Sequence, residues 1–159
     1  MIKLIDLLND FTGRTTAYFY LFAVVISCYE ITLRYVFNAP TLWAHEFVII
    51  ICAVSYLLSG GYVTKERAHV RITALFEILP RRIQRLLDGF AVLIGLVCVS
   101  LLVYASWDQS LMAIEVWEKT GSAWDPPLYG IVKPAITIGA VLVVLANLSL
   151  AVKLLRGED

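Results

Sequence analysis

Four stretches of the chain, at about 16–35, 42–62, 87–107 and 131–151, are almost unbroken runs of apolar residues. Each is about 20 residues long, and a helix of that length crosses a hydrocarbon layer about 30 Å thick. Most charged residues and four of the five prolines lie outside the runs. The pattern predicts an all-α integral membrane protein with four transmembrane helices. Residues 1–159 then form a single membrane domain, with no length left for a soluble domain of ordinary size.

The intervening segments have patterns of their own. In residues 1–15, Ile2, Ile5, Leu8 and Phe11 recur near helical spacing, predicting a short helical arm against the inner surface. Asn38-Ala39-Pro40 is turn chemistry, and Thr41 suits the N-cap of the second helix. Ser59-Gly60-Gly61, near the end of the second run, suits either a close helix approach or a loosened end. Between the second and third runs, Ile72, Leu75, Phe76, Leu79 and Ile83 share one helical face, and Arg71, Glu77, Arg81 and Arg85 fall largely on the other. With Arg82 beside them, they predict an amphipathic helix over about 70–83, lying in the membrane interface with its basic side toward anionic headgroups. The same surface would also suit a cytoplasmic partner. Pro80 marks a bend within it, being poorly tolerated inside a helix and well suited to the first position of the next. The outer segment, 108–130, is expected to prolong the third helix by about two turns, stop near Gly121 and restart at Asp125-Pro126-Pro127.

Composition agrees with a membrane solvent, since 60% of the residues are hydrophobic. The net charge is zero, yet the charge is sorted. Lys3, Arg14, Lys65, Arg67, Arg71, Arg81, Arg82, Arg85, Lys153 and Arg156 lie on one side of the runs, and only Arg34, Lys119 and Lys133 on the other. By the positive-inside rule both termini and the middle segment are cytoplasmic. Trp43, Trp107, Trp117 and Trp124 then lie at or beyond the outer ends of the spans, where indoles prefer the headgroup layer. The first run exceeds a signal-peptide core and is expected to stay attached. Cys28, Cys52 and Cys98 fall in three different runs with no paired spacing, and read as small residues of the membrane core.

Candidate chemistry is sparse. His45 and His69 are about 36 Å apart along a straight helix, too far to share a haem or a metal ion. No phosphate loop, nucleophile elbow or zinc spacing is present, so no cofactor, no metal and no enzymatic activity are expected. One polar cluster stands out, where Glu30, Arg34, Trp43, His45 and Glu46 meet at the outer ends of the first two helices. Glu30 and Arg34 have the favoured i,i+4 order, Glu46 suits a helix N-terminus, and the short hairpin is expected to bring Arg34 opposite Glu46. The cluster reads as an ion-pair lock on the hairpin in preference to a substrate or proton site, because a permanent cation stands beside the acids.

These residues carry a resemblance. Arg34-Tyr35-Val36-Phe37-Asn38-Ala39-Pro40, then Trp43-x-x-Glu46, Gly60-Gly61-Tyr62 and His69-Val70 resemble the small membrane subunit of tripartite ATP-independent periplasmic (TRAP) transporters, the DctQ-type family. Lys133-Pro134 and Gly139 match that layout in the fourth run. His45 stands where the family often has a second acid. The resemblance implies a bacterial or archaeal cytoplasmic membrane protein that scaffolds a large multi-span permease subunit. The larger partner would carry out sodium-coupled uptake of an organic acid delivered by a periplasmic binding protein. Membrane lipids are the remaining partner, and nothing points to nucleic acid.

Two other readings use the same four spans. A self-sufficient proton-coupled exporter would use Glu30, but Arg34 holds that acid ionised and the basic interfacial helix is foreign to so compact a layout. A membrane anchor of a redox complex stays open only in forms without haem. The orientation is tested by single cysteines in a variant lacking Cys28, Cys52 and Cys98. Arg82→Cys should resist a membrane-impermeant thiol reagent in intact cells and Ser122→Cys should react; the opposite pattern would invert the topology.

Overall fold

The computed structural model describes residues 2–66 and 80–156, which form four long helices. They are α1 (Ile2–Tyr35), α2 (Ala44–Lys65), α3 (Arg81–Val116) and α4 (Leu128–Arg156). All four are long and apolar enough to cross a membrane. His69 and the interfacial residues Arg71, Ile72, Leu75, Phe76 and Leu79 lie outside the described residues. Residues 81–83, assigned from sequence to the interfacial helix, belong to α3 instead. Pro80 is the cap before α3, with extended backbone (φ −62°, ψ 144°). Its carbonyl accepts the Ile83 and Gln84 N–H groups at 2.8 and 3.2 Å. The ring is tolerated there because a cap owes no amide hydrogen bond to a preceding turn.

The arm predicted for residues 1–15 is not a separate element. It continues into the first span as one helix of 34 residues, about 50 Å long. No proline interrupts it, and Thr12, Thr15, Thr16, Ser27 and Thr32 turn their hydroxyls back onto carbonyls three or four residues earlier. In an apolar solvent that back-bonding satisfies a hydroxyl without breaking the helix.

The helices alternate in direction, and α4 is the hub. It packs along both α2 and α3, α1 packs chiefly on α2, and α1 touches α4 more lightly. Small residues set the α2–α4 distance. A Cβ on Gly139 would run into the Leu57 carbonyl, one on Gly61 into Asn9 and Leu142, and one on Gly60 would meet Val143 at 3.0 Å. Of the two readings of Ser59-Gly60-Gly61, close approach is the one observed, since α2 continues through to Lys65. The buried apolar positions are mostly small, including Ala23, Ala44, Ala113, Ala135, Ala140 and Ala146. Cys28 and Cys98 face outward, not into the packed interior.

Polar contacts complete the packing. Between α3 and α4, Ser110 Oγ lies 2.6 Å from Thr137 Oγ1 and donates to the Lys133 carbonyl at 2.9 Å. Thr137 in turn donates to Ser106 Oγ at 2.9 Å. At the end carrying both termini, Asp6 accepts from Lys153 at 2.7 Å and Ser149 at 2.9 Å, and Asp10 pairs with Lys65. The start of α1 is thereby tied to the ends of α2 and α4.

Gly139→Leu should separate α2 from α4 and destabilise the fold by about 1–3 kcal/mol, the usual cost of overpacking. Gly89→Ala, where an added Cβ meets nothing within 4 Å, should be neutral or stabilising. Thermal unfolding in detergent distinguishes them: similar melting temperatures would mean that the α2–α4 approach does not limit stability.

Candidate interaction site at the outer hairpin

The site is assembled by the return of the chain from α1 into α2. After Tyr35 the Val36 N–H bonds Thr32 and the Ala39 N–H bonds Leu33, at 2.9 and 3.0 Å. Asn38 takes the left-handed conformation (φ 48°) that lets the chain reverse. This places Thr41 against Glu30, one turn back inside α1.

Glu30 is the hub of the cluster and is buried, at 7% exposure. Oε1 accepts Arg34 Nη2 at 2.8 Å and Nε at 3.2 Å. Oε2 accepts the Thr41 N–H at 3.2 Å and the Thr41 hydroxyl. Thr41 Oγ1 also receives the Ala44 N–H at 3.4 Å, while Trp43 occupies the position immediately before the helix. One carboxylate thus joins the end of α1, the turn and the start of α2. Saturated with donors, it is fitted to hold a hairpin closed, and poorly fitted to pass a proton or grip a substrate.

The cluster differs from its sequence expectation in one pairing. Arg34 turns to Glu30 and does not face Glu46, whose Oε2 is buried with no hydrogen-bond partner. The i,i+4 geometry within α1 prevails over the cross-hairpin pairing, and Thr41 supplies the bond between the two helices. His45 is exposed and lines a groove of about 250 Å³ with Ser27, Glu30, Ile31, Arg34 and Val48. Trp43 packs edge-on against Phe47 (6.1 Å, 70°), which meets Phe22 (6.5 Å) and Trp124 (6.3 Å) in the same manner. Sequence reasoning placed Trp43 in the cluster but did not connect it with Trp124, because eighty-odd residues separate them.

The outer segment 117–127 is stapled as well. Helix α3 ends at Val116, and the turn begins at Trp117, in a left-handed conformation, and not near Gly121. Lys119 pairs with Asp125 at 3.1 Å and Lys133 with Glu118. Asp125 also accepts the Gly121 N–H at 3.0 Å. The Lys119 ammonium and that N–H hold the Asp125 carboxyl below the usual aspartate range. Among the described residues, no group of three or more His, Cys, Asp or Glu side chains is gathered for a metal ion.

Two comparisons bear on this arrangement. Residues 23–157 match the family described as tripartite ATP-independent periplasmic transporters, DctQ component. The C4-dicarboxylate TRAP transporter small permease protein DctQ of Vibrio cholerae is 30% identical over 79 residues, covering 50% of this chain and 34% of that protein. The sialic acid TRAP transporter permease protein SiaT of Haemophilus influenzae is 25% identical over 103 residues, covering 65% of this chain and 16% of that protein. The matched stretches are thus a minor part of both relatives. With four apolar spans and a match over most of its length, the chain belongs to the DctQ component family of TRAP transporters, and is a multi-pass transporter component of the bacterial inner membrane, not an enzyme.

Proposed function

We propose that the chain is a small permease subunit that braces a larger membrane subunit during sodium-coupled uptake of an organic acid. A periplasmic binding protein would deliver the substrate. One observation carries the scaffold reading: among the described residues, most of the buried or half-buried charged groups, and a set of hydroxyls, tie the helices of the bundle to one another. Glu30 binds Arg34 and Thr41, Asp6 binds Lys153 and Ser149, Asp10 binds Lys65, and the Ser106, Ser110 and Thr137 hydroxyls bind across α3 and α4. A chain that itself moved ions would need polar groups held free in mid-membrane and broken helices to coordinate them. Instead α1 and α3 turn outward large apolar side chains, including Tyr18, Leu21, Val25, Leu93, Val97 and Leu101, which suit lipid or another membrane protein.

The names of the two relatives support the substrate class, since sialic acid and C4-dicarboxylates both carry carboxylates. Charge sorting supports cytoplasmic termini and a membrane-interface role for the segment between α2 and α3, now bounded by Pro80. The Glu30–Arg34–Thr41 cluster is the lock that fixes the α1–α2 hairpin.

Two measurements test this reading. Reconstituted alone into liposomes with a sodium gradient, the chain should accumulate no organic acid; uptake should require the large subunit and the binding protein together. Sodium-driven uptake by the isolated chain would refute the scaffold. In the full complex, Glu30→Ala should lower yield and transport several-fold by leaving Arg34 unpaired, and Thr41→Val should have a smaller effect in the same direction. If both variants assembled and transported normally, the cluster would not be a lock.

A further inference from the structure

Among the described residues, the outer half of the bundle holds one partly buried carboxylate with no ion pair, Glu46. Glu46 makes no hydrogen bond or ion pair with any described residue, and its Oε2 is buried. Three basic residues lie on this half, and each is already committed: Arg34 to Glu30, Lys119 to Asp125, and Lys133 to Glu118. The other acids here without an ion pair, Asp108 and Glu115, are exposed. A partly buried acid at the membrane edge with no cation beside it is the exception in this chain, where ionisable groups at such depth are expected to be paired.

The surroundings of Glu46 show from which side a cation would come. Glu46, Ile49, Ala53 and Tyr56 follow one another at spacings of three and four residues, a single stripe along about 15 Å of α2. Ile49 and Tyr56 are 42% and 74% exposed, so α1 and α4 leave these two positions of the stripe uncovered. Beyond Tyr56 it runs into an apolar groove of about 300 Å³ bounded by Leu57, Gly60, Val99, Leu102 and Val143. An apolar stripe and groove with one unpaired acid at the outer end is the complement of an apolar helix carrying one base.

We propose that this face of α2 is the seat of a transmembrane helix of the larger membrane subunit, and that the helix supplies a lysine or arginine to Glu46. The inference deepens the scaffold reading and rests on it. It adds which face of this chain is covered, and that the contact is held by a charge pair at the outer membrane edge.

The test uses the full complex in membranes. A photo-reactive residue in place of Ile49 or Tyr56, with Glu46 intact, should cross-link to the large subunit. Glu46→Lys should lower the large subunit recovered with this chain about tenfold or more, as expected when like charges meet across an interface. Glu46→Gln should lower it less, and exchanging the partner's basic residue for Glu should restore recovery with Glu46→Lys. The isolated Glu46→Lys chain should keep its melting temperature in detergent; if it does not, the cross-links made with Glu46 intact decide. Adducts only to lipid, or only to a second copy of this chain, would overturn the proposal, as would undiminished recovery with a folded Glu46→Lys chain. Failure of the scaffold reading looks different, because the wild-type chain would then recover no large subunit at all.

Discussion

Apolar side chains gain little by leaving lipid for the surface of another helix, so the meeting of α2 and α4 depends on how closely their backbones approach. Gly60, Gly61 and Gly139 remove the side chains that would hold the two helices apart. The other helices are placed by that contact. With α2 and α4 joined, α1 docks along α2 with Asn9 against Gly61, and α3 docks along α4 through Ser110 and Thr137. Dispersion between closely placed atoms and a few interhelical hydrogen bonds, each about 0.6 kcal/mol on average in a membrane, replace the burial that drives folding in water.

The charged groups act at the two ends, where their desolvation costs less. At one end Asp6 and Asp10 of α1 reach Lys153 of α4 and Lys65 of α2, closing the bundle around its termini. At the other, Glu30 closes the α1–α2 turn, and Lys133–Glu118 and Lys119–Asp125 close the α3–α4 turn. The bundle is therefore a rod with apolar flanks and charge-fastened ends. That fits the proposed role of a fixed support, since none of the described spans is broken in mid-membrane to offer an ion carbonyl ligands.

Sequence reading succeeded where the cause is local. Runs of about 20 apolar residues yield four spans directly, and the i,i+4 spacing of Glu30 and Arg34 yields their ion pair. It fell short where the cause lies in the path of the backbone. That Thr41, and not an Arg34–Glu46 pair, joins the two helices depends on how the turn at Asn38 swings, which the composition of the turn does not specify. The serines and threonines of α3 and α4 looked scattered along the chain, yet Ser106, Ser110 and Thr137 converge once the helices run antiparallel. Their spacing of four residues on α3 was the available signal, and it means something only beside a matching hydroxyl on α4. The helical spacing of Ile2, Ile5, Leu8 and Phe11 predicts a helix at residues 1–15 but does not say whether it is separate from the first span. In the fold, Asp6 and Asp10 find lysines on α4 and α2, so the helix continues unbroken past the apolar run.

Glu46 joins these strands. Among the described residues, each acid that is paired at the outer end takes its partner from its own helix, its own turn or the adjoining helix, within about fifteen residues of sequence. Glu46 stands on α2, which leaves Ile49 and Tyr56 uncovered on the same side. A residue in that place has no local partner to find, because α1 and α4 occupy the other sides of α2 and have committed Arg34 and Lys133 elsewhere. Among the described residues, Glu46 is thus the acid at the outer end that is partly buried and has no ion pair. Incompleteness of that kind is what distinguishes a subunit from a protein that works alone.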